Sequence, residues 1–525
     1  MTDAFTPPAP LQTAVLFLVF NRPDTTAQVF EAIRKAKPPR LYVAADGPRP
    51  NRVGEAEKVA KVREIATAVD WPCEVKTQFR EENLGCKYGP QTGIAWFFEQ
   101  EEQGIILEDD CLPHPDFFDY CEFCLTEFKE NKKIWHINGN NFAAANELYE
   151  HPIQFVSLAQ VWGWASWADR WQSSEKNVFY LYESALSKYK TWNLSKEAKF
   201  KKIQHIHEVT EGLDTWDYQW QVSILNAGGL AVSPSSNLIS NLGDGPDATH
   251  TKNDKSRIRL PVVGLKDYSF KEVKNNKILC EWYEFKMGLK FNIRSIIESA
   301  FFYFKKCFTR LLKSFLNKSV YISQSPIVIA STGRSGSTLL THAIAQALVD
   351  SRFRWLPSVI KRYIKHFSTD YINRIQNIDG ANAPVIKTHD IFRKAFSDRA
   401  KYIFVFGDPL ESAQSVAQMG EKHGVNWIEE HIFHLVGRGN PREIFEKDVL
   451  NYEAQLKSWG DSKGVFVVHY DDLWNKSEEL KEFLGFELRL PERRERTEKA
   501  LPLSFNQEMF DYLRKQEQAL RKKIS

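Results

Sequence analysis

Long apolar runs and a strong charge of either sign are both missing from this sequence of 525 residues. The apolar run 14–20 is far too short to cross a bilayer, which takes about 20 helical residues. Residues 1–12 contain no basic residue, unlike a secretory signal peptide. A net charge of +3 is too small to make nucleic acid the main partner. These absences predict a cytoplasmic protein that binds no nucleic acid.

Paired cysteines at zinc-site spacing are also lacking. The seven cysteines are an odd count, and without an export signal we expect reduced thiols. Cys121 and Cys124 form one C-x-x-C pair, but no second pair accompanies them. Because apolar residues surround the pair at helical spacing, we predict that both cysteines pack inside a helix face.

The length and composition indicate several globular domains. A chain of 525 residues is too long for one ordinary core, and 43% hydrophobic with 26% charged residues is typical of a globular protein. We predict a flexible segment 1–12, an α/β domain 13–270, a helical connector 271–322 and a second α/β domain 323–525.

Four short apolar runs in the first predicted domain indicate buried strands. They are residues 14–20, 41–45, 73–79 and 104–107, and helical patterns separate them. Such alternation predicts a parallel sheet covered on both faces, with ligands beyond the carboxyl ends of the strands.

Acidic residues follow two of these runs. Asp46 comes after the second, and Glu108, Asp109 and Asp110 come after the fourth. Adjacent carboxylates at the end of a buried strand repel one another and lose hydration unless a cation or hydrogen-bond donors are present. An isolated acidic triplet is also compatible with a solvated turn, but two acidic strand ends in one sheet favour a shared site for a divalent metal.

Residues 106–120, with Asn83-Leu84-Gly85 upstream, resemble nucleotide-sugar glycosyltransferases of the GT-A (Rossmann-like) fold. The likeness is to the N-acetylglucosaminyltransferase I group, in which an E-D-D triplet replaces D-x-D. The resemblance implies inverting sugar transfer from a UDP-sugar to a glycan acceptor, with Mn²⁺ or Mg²⁺. It implies that Asp110 binds the metal, that Glu108 and Asp109 contact the nucleoside, and that Asp46 recognises uracil.

The same resemblance implies further roles. The turn at Asn21 and Arg22 is similar to the nucleotide-binding turn of that family, and Asp217 matches its general base, with Asp214 as the second candidate. The Gly-rich segment 241–251 is expected to form a mobile lid. His250 within it is predicted to bind metal or phosphate; an ordinary loop histidine is the alternative.

Tryptophans cluster at residues 161–167 and again at Trp216. Flat aromatic faces beside carboxylates suit sugar recognition, because sugar C–H faces stack on rings. An ordinary aromatic core is the equally weighted alternative.

Residues 286–318 carry eight basic residues and one acidic residue, with apolar positions at helical spacing. One interpretation is a basic amphipathic helix in peripheral contact with the inner face of the cell membrane. The other is a linker helix packed on one of the domains.

A second phosphate-binding pattern begins at residue 327. The apolar run 327–330 precedes Ser-Thr-Gly-Arg-Ser-Gly-Ser-Thr, residues 331–338, and then a helical pattern. A glycine-bearing loop between strand and helix directs backbone N–H groups at an anion. The loop lacks the G-K-[ST] ending of a Walker A motif.

This loop resembles the 5′-phosphosulfate loop of sulfotransferases, which have an α/β P-loop-like fold. Segments 385–389, 405–409 and 469–473 are similar to later motifs of that family, in the same order. The resemblance implies 3′-phosphoadenosine-5′-phosphosulfate as donor and no metal.

The same likeness implies residue roles for sulfuryl transfer. Arg334 would stabilise the transferred group, His389 would act as base with help from Lys387, and Ser415 would hold the 3′-phosphate. The 5′-phosphate would be held by the four loop residues Ser335, Gly336, Ser337 and Thr338.

One position departs from the sulfotransferase pattern. Gly407 stands where the family has an arginine for the 3′-phosphate, and losing that pair could cost ~2–4 kcal/mol. Arg493, Arg494 or Arg496 could replace it. The sequence therefore predicts either an enzyme of surface polysaccharide biosynthesis with both activities, or a glycosyltransferase with an inactive sulfotransferase-like binding module.

Overall fold

The computed structural model describes residues 10–142, 151–243, 262–265, 267–270, 272–276, 280, 326–352, 369–371, 384–392, 399–493 and 505–524. The chain divides into two compact units, Met1–Phe291 and Asn292–Ser525. The predicted basic helix 286–318, the predicted lid beyond residue 243 and His250 lie outside the described residues. Of the predicted connector 271–322, residues 272–276 and 280 are described, and Val273 and Cys280 pack against hydrophobic clusters of the first unit. Within the described ranges, no helix combines the length and apolarity needed to cross a membrane.

The first unit alternates strands and helices as far as β4, and more irregularly after it. Its strands are β1 (Val15–Val19), β2 (Arg40–Ala45), β3 (Glu74–Phe79), β4 (Gln103–Glu108), β5 (Cys111–Pro113), β6 (Ile134–Asn138), β7 (Ile153–Val156), β8 (Trp164–Trp167), β9 (Leu230–Pro234) and β10 (Ile239–Asn241). Its helices are α1 (Pro23–Ala36), α2 (Glu55–Ala66), α3 (Gly85–Phe98), α4 (Asp116–Glu127), α5 (Ala168–Ser173), α6 (Val178–Lys188), α7 (Lys196–Thr210) and α8 (Asp217–Asn226).

Eight of these strands form one mixed sheet in the order β3-β2-β1-β4-β8-β6-β9-β7. The strands β3, β2, β1 and β4 are parallel, as predicted. Strand β8 runs antiparallel to β4, so the prediction of a wholly parallel sheet is wrong beyond β4. A fully buried apolar strand has the same composition in either direction, which is why the sequence did not indicate the reversal.

Strand β3 is the other departure. It lies at the edge of the sheet and most of its residues are exposed or half-buried, although its sequence was grouped with the buried strands. Charged residues such as Glu74 and Lys76 suit an edge, because they discourage pairing with another chain.

The core of the first unit covers both faces of the sheet. Cys121 and Cys124 are fully buried in α4, which confirms the predicted packing role. Trp164, Trp167 and Trp216 are buried as well, at 0%, 1% and 4% exposure. These three rings form an aromatic core, which agrees with the alternative interpretation for them. Trp162, the remaining ring of the cluster, is half-buried and packs edge-on against Phe142, and sugar recognition there stays a prediction.

The second unit has a five-stranded parallel sheet in the order β12-β13-β11-β14-β15. These strands are β11 (Ile327–Ser331), β12 (Thr369–Tyr371), β13 (Val385–Thr388), β14 (Lys401–Phe406) and β15 (Val465–His469). The described helices are α9 (Ser337–Arg352), α10 (Pro409–His423), α11 (Val425–His434), α12 (Tyr452–Gly460), α13 (Ser477–Leu484) and α14 (Gln507–Ile524). Because β13, β11 and β14 are adjacent and parallel, the residues that follow them meet at one edge of the sheet.

Candidate active sites

The first candidate site lies at the carboxyl ends of β1, β2 and β4. The parallel register pairs Val19 with Ala45 and Leu18 with Glu108, so the residues that follow share one edge of the sheet. These residues are Asn21, Arg22, Asp46, Glu108, Asp109 and Asp110, which the sequence had predicted as site residues.

Glu108 and Asp110 come together at this edge. Their carboxylate oxygens and the Cys111 sulfur all lie within 4.8 Å of one another. Burial raises the pKa of the Cys111 thiol well above its usual value, so the sulfur stays protonated and does not suit a hard cation. Asp110 was the predicted metal ligand, and Glu108 was predicted to contact the nucleoside, which stays a prediction. Both carboxylates are suitable ligands for Mg²⁺ or Mn²⁺, so the residues present fit such an ion.

Arg22 supplies the positive charge at this cluster. Its Nη1 lies 2.7 Å from Asp110 Oδ2 and 3.4 Å from Asp109 Oδ1. Asp109 is buried and also accepts a hydrogen bond of 3.0 Å from the backbone N–H of Phe20. Asp109 therefore holds the turn after β1 in place, and its contact with a nucleoside stays a prediction.

Asn21 points to a different partner. Its side-chain amide donates to Glu55 Oε1 at 2.9 Å, at the start of α2. The two polar side chains of the predicted nucleotide-binding turn thus have different partners. Asn21 binds the start of α2, and Arg22 binds the acidic cluster.

Burial and mutual repulsion change the acidity of the cluster. Burial raises the pKa of Glu108 to about 8, and the charges of Asp110 and Asp109 reinforce the shift. Burial raises the pKa of Asp109 to about 7 against the opposing charge of Arg22. The unliganded cluster therefore retains protons near neutral pH, which a divalent cation would have to displace.

Binding of Mn²⁺ to the full chain should strengthen as the pH rises from about 6 to 8. Below the pKa of Glu108, a proton competes with the cation for the same oxygen, so affinity should rise by up to about tenfold per pH unit and then level off. Calorimetric titration at several pH values measures this slope. Glu108→Gln should weaken binding and flatten the slope, whereas an unaltered protein with pH-independent affinity would contradict the expectation.

Asp46 organises the loop before α3. Its carboxylate accepts backbone N–H bonds from Leu84 at 2.9 Å and from Gly85 at 3.0 Å. Asn83 donates to the carbonyl of Gly47 at 2.8 Å and so closes the loop from its other side. Recognition of uracil by Asp46 stays a prediction, and the geometry shows a carboxylate that shapes the rim of the site.

Asp214 and Asp217 have different surroundings. The two oxygens of Asp214 accept the N–H groups of Cys86, at 2.9 Å, and Lys87, at 2.8 Å, so this side chain satisfies the start of α3. Gly85 is required there, because a Cβ atom would lie 2.6 Å from Asp214 Oδ2. Asp217 opens α8, accepts the Thr215 hydroxyl and contributes to the raised pKa of Glu108. Asp217 therefore lies close enough to the cluster for its charge to act on Glu108.

The predicted lid begins at the cluster. The N–H of Leu242 donates to the backbone carbonyl of Asp110 at 2.7 Å. A Cβ at Gly243 would lie 2.3 Å from Asp110 Oδ2, so a larger residue there would displace this carboxylate.

The second candidate site surrounds the loop between β11 and α9. Gly333, Arg334 and Gly336 all have left-handed backbone angles, with φ of 80°, 50° and 82°. Such winding turns successive backbone N–H groups toward one point, as in anion-binding nests. Gly336 also passes so close to Tyr470 that a Cβ would lie 2.4 Å from Cδ2 of its ring.

A cavity of about 610 Å³ opens beside this loop. The loop residues, the end of β13 and α10 all contribute to its wall. The predicted site residues that line it are Arg334, Gly336, Ser337, Thr338, Lys387, His389 and Ser415. Ser335 is the exception among the loop residues, because its buried hydroxyl bonds Thr332 and the carbonyl of Gly333 instead.

Two cations border the cavity. Arg334 Nε donates to Ser415 Oγ at 3.0 Å, and Lys387 Nζ donates to Thr338 Oγ1 at 2.7 Å. Burial, aided by the charge of Arg334, lowers the pKa of Lys387 to about 8, which leaves it mainly protonated at neutral pH. Together with the N-terminus of α9, these groups suit a phosphate or sulfate group.

His389 is a neutral imidazole with a defined tautomer. Its Nδ1 lies 3.0 Å from the Ser331 carbonyl oxygen, which can only accept, and 3.1 Å from the Ser331 hydroxyl, which donates to Ser337 Oγ. These partners favour the tautomer with the proton on Nδ1 and the lone pair on Nε2. Burial lowers the pKa of His389 well below its usual value, and the nearby charges of Lys387 and His431 add to this effect. The ring is therefore unprotonated at neutral pH, which is the form that a general base needs.

Sequence reasoning missed one wall of this cavity. Helix α11 forms this wall with Trp427, Glu430, His431 and His434, and none of them belongs to a recognised motif. The only signal was their spacing, which places all four on one helix face.

Gly407 ends up beside the loop. The nearest atom to an added Cβ would be Ser335 Oγ at 3.7 Å, an ordinary van der Waals distance, so this buried position accepts a Cβ without a clash. Of its proposed substitutes, Arg493 pairs with Asp471 at 2.7 Å, while Arg494 and Arg496 lie outside the described residues.

No family model and no curated protein matches this chain. Among solved structures, a match is the crystal structure of UDP-glucose pyrophosphorylase complexed with UDP-glucose, with 8% identity and a TM-score of 0.23. It covers 43% of this chain and 90% of that chain. A likeness at that TM-score is too weak to carry an argument about fold or function.

Proposed function

We propose that the chain is a transferase with two activities in glycan biosynthesis. The first unit would transfer a sugar from a UDP-sugar with inversion and with Mn²⁺ or Mg²⁺ bound. The second would transfer a sulfuryl group from 3′-phosphoadenosine-5′-phosphosulfate to a glycan hydroxyl. The observation that carries the proposal is the cavity where the left-handed loop, Lys387 and neutral His389 meet, in the same chain as the Glu108 and Asp110 pair.

In the first unit, Asp217 would take the proton from the acceptor hydroxyl as its oxygen attacks the anomeric carbon. The bond from that carbon to the diphosphate oxygen breaks, and UDP leaves with the electron pair. A divalent cation held by Glu108 and Asp110 would supply the charge that stabilises this leaving group. Asp214 is less suited to the role of base, since backbone N–H groups of α3 already occupy its oxygens.

In the second unit, Nε2 of His389 would accept the proton of the acceptor hydroxyl. The hydroxyl oxygen bonds to sulfur, the bond from sulfur to the 5′-phosphate breaks, and 3′-phosphoadenosine 5′-phosphate leaves. Arg334 and Lys387 would neutralise the charge that develops on the departing phosphate, as cations do in phosphoryl transfer.

The proposal as a whole can be tested by mass spectrometry of surface glycans from cells with and without the gene. We expect a paired loss of one sugar and one sulfate. Loss of the sugar alone would favour the second candidate, a glycosyltransferase with an inactive sulfotransferase-like module, for which Gly407 is the supporting observation.

Gly407→Arg should strengthen binding of 3′-phosphoadenosine 5′-phosphate to the full chain. The position follows β14 beside the loop and accepts an added Cβ at ordinary van der Waals distances, and an arginine–phosphate pair contributes about 2–3 kcal/mol, or ~30–150-fold in affinity. Calorimetry with this nucleotide and with adenosine 5′-phosphate measures the gain, which should be confined to the bisphosphate. Equal affinity of the unaltered chain for both nucleotides would show that it does not read the 3′-phosphate.

A further inference from the structure

Helix α11 presents a mixed face to the cavity of the second unit. Ile428 and Ile432 point into the core, and Ile428 packs closely against α10 at Gly420. The four residues on the cavity side, Trp427, Glu430, His431 and His434, have no role in the sulfuryl transfer described above.

Aromatic rings connect this face to the base. Trp427 and His431 are stacked, with ring centroids 5.1 Å apart and an interplanar angle of 10°. His431 in turn meets His389 edge-on, with centroids 5.5 Å apart and an angle of 71°. His423 lies beside the same indole, with ring centroids 6.2 Å apart and an interplanar angle of 34°, so a ligand can stack only on the part of Trp427 that lines the cavity. There it would lie in the same cavity as the proton-accepting ring.

The two walls of the cavity differ in charge. Arg334 and Lys387 stand on the loop side, which suits the anionic donor. Glu430 on α11 is a carboxylate with a side chain 45% exposed, 3.8 Å from His434. A carboxylate repels phosphate and sulfate but accepts hydrogen bonds from hydroxyl groups. The α11 wall thus favours an uncharged ligand rich in hydroxyls.

We propose that the α11 face is the acceptor subsite of the second unit and that its ligand is a carbohydrate. The sugar ring stacks on the part of Trp427 that lines the cavity, and its hydroxyls donate to Glu430. This arrangement directs one hydroxyl toward His389. The inference rests on the proposed sulfuryl transfer and adds the residues that bind its carbohydrate acceptor.

Two substitutions in the full chain test this subsite in cells that carry the gene. Trp427→Ala should lower incorporation of radiolabelled sulfate into surface glycan by about tenfold or more, because stacking on the indole is lost. Glu430→Gln, a mild change at a half-buried side chain, should also lower incorporation. Trp427→Phe should retain most of it, and Lys422→Ala on the exposed side of α10 is the matched control.

Calorimetry with 3′-phosphoadenosine 5′-phosphate separates the acceptor from the donor. The purified Trp427→Ala and Glu430→Gln chains should bind this nucleotide within about twofold of the unaltered chain, which also establishes that they are folded. Weakening by fivefold or more in Trp427→Ala would show that the indole holds adenine and would overturn the inference. Unchanged sulfate incorporation in both variants would overturn it too. An unaltered chain that neither binds the nucleotide nor incorporates sulfate would refute the proposed function, and the inference with it.

Discussion

Asp110→Ala should abolish sugar transfer and the Mn²⁺-dependent binding of UDP. Asp110 supplies one of two carboxylates that meet within 4.8 Å, so its removal leaves a cation with Glu108 alone. A diphosphate without its cation would then face the remaining acids of the cluster, and turnover should fall below detection. Release of UDP from a UDP-sugar, measured with and without chelator, gives the first readout, and calorimetry with UDP and Mn²⁺ gives the second.

The fold should survive this substitution, because Arg22 keeps Asp109 as an ion-pair partner. Thermal unfolding of the variant checks this expectation. Glu57→Ala removes an exposed carboxylate from α2 and serves as the control for charge. Near-normal turnover of Asp110→Ala in the presence of chelator would show that the metal assignment is wrong.

In the first unit, the strands that could be predicted from the sequence are those formed by continuous apolar runs. β1, β2 and β4 are completely or almost completely buried, and their boundaries lie within about two residues of the runs that indicated them. The direction of β8 could not be predicted in this way, because hydrogen-bond register between distant strands leaves no trace in local composition.

The candidate sites show the same division. Their residues could be found because each follows a buried strand or lies in a motif. The contacts between these residues could not be predicted, because the partners are distant in sequence. Arg22, for example, binds Asp110, which lies 88 positions further along the chain. The resemblance had already placed Asp217 before Asp214 as the base, but the sequence did not indicate that Asp214 binds the start of α3.

In the second unit, the order of the motifs along the chain was sufficient to predict that the loop, Lys387 and His389 lie together. Because β11 and β13 are parallel neighbours, the motifs at their carboxyl ends lie at the same edge of the sheet. Helix α11 carries no phosphate or base motif, and its contribution to the cavity depends on how it packs against α10.

Asp217→Asn should lower the turnover number of sugar transfer by ~10²–10⁴-fold with little change in donor affinity. An amide cannot accept the proton of the acceptor hydroxyl, and a general base acts in the transition state rather than in donor binding. The measurement is the rate of UDP release at saturating donor together with the affinity for UDP and Mn²⁺. Asparagine keeps an oxygen for the Thr215 hydroxyl, so the start of α8 should be retained.

Asp214→Asn is the matched comparison, because it makes the same chemical change three positions earlier. Both oxygens of Asp214 accept N–H groups at the start of α3, and an asparagine has only one such oxygen. We expect a loss of stability of about 0.5–2 kcal/mol, as for a weakened helix cap, with turnover less affected than in Asp217→Asn. The opposite result, a stable Asp214→Asn without turnover beside a fully active Asp217→Asn, would assign the base to Asp214. If Asp217 is the base and Asp214 is a structural carboxylate, Asp217→Asn should mainly lower the turnover number, whereas Asp214→Asn should mainly lower the stability.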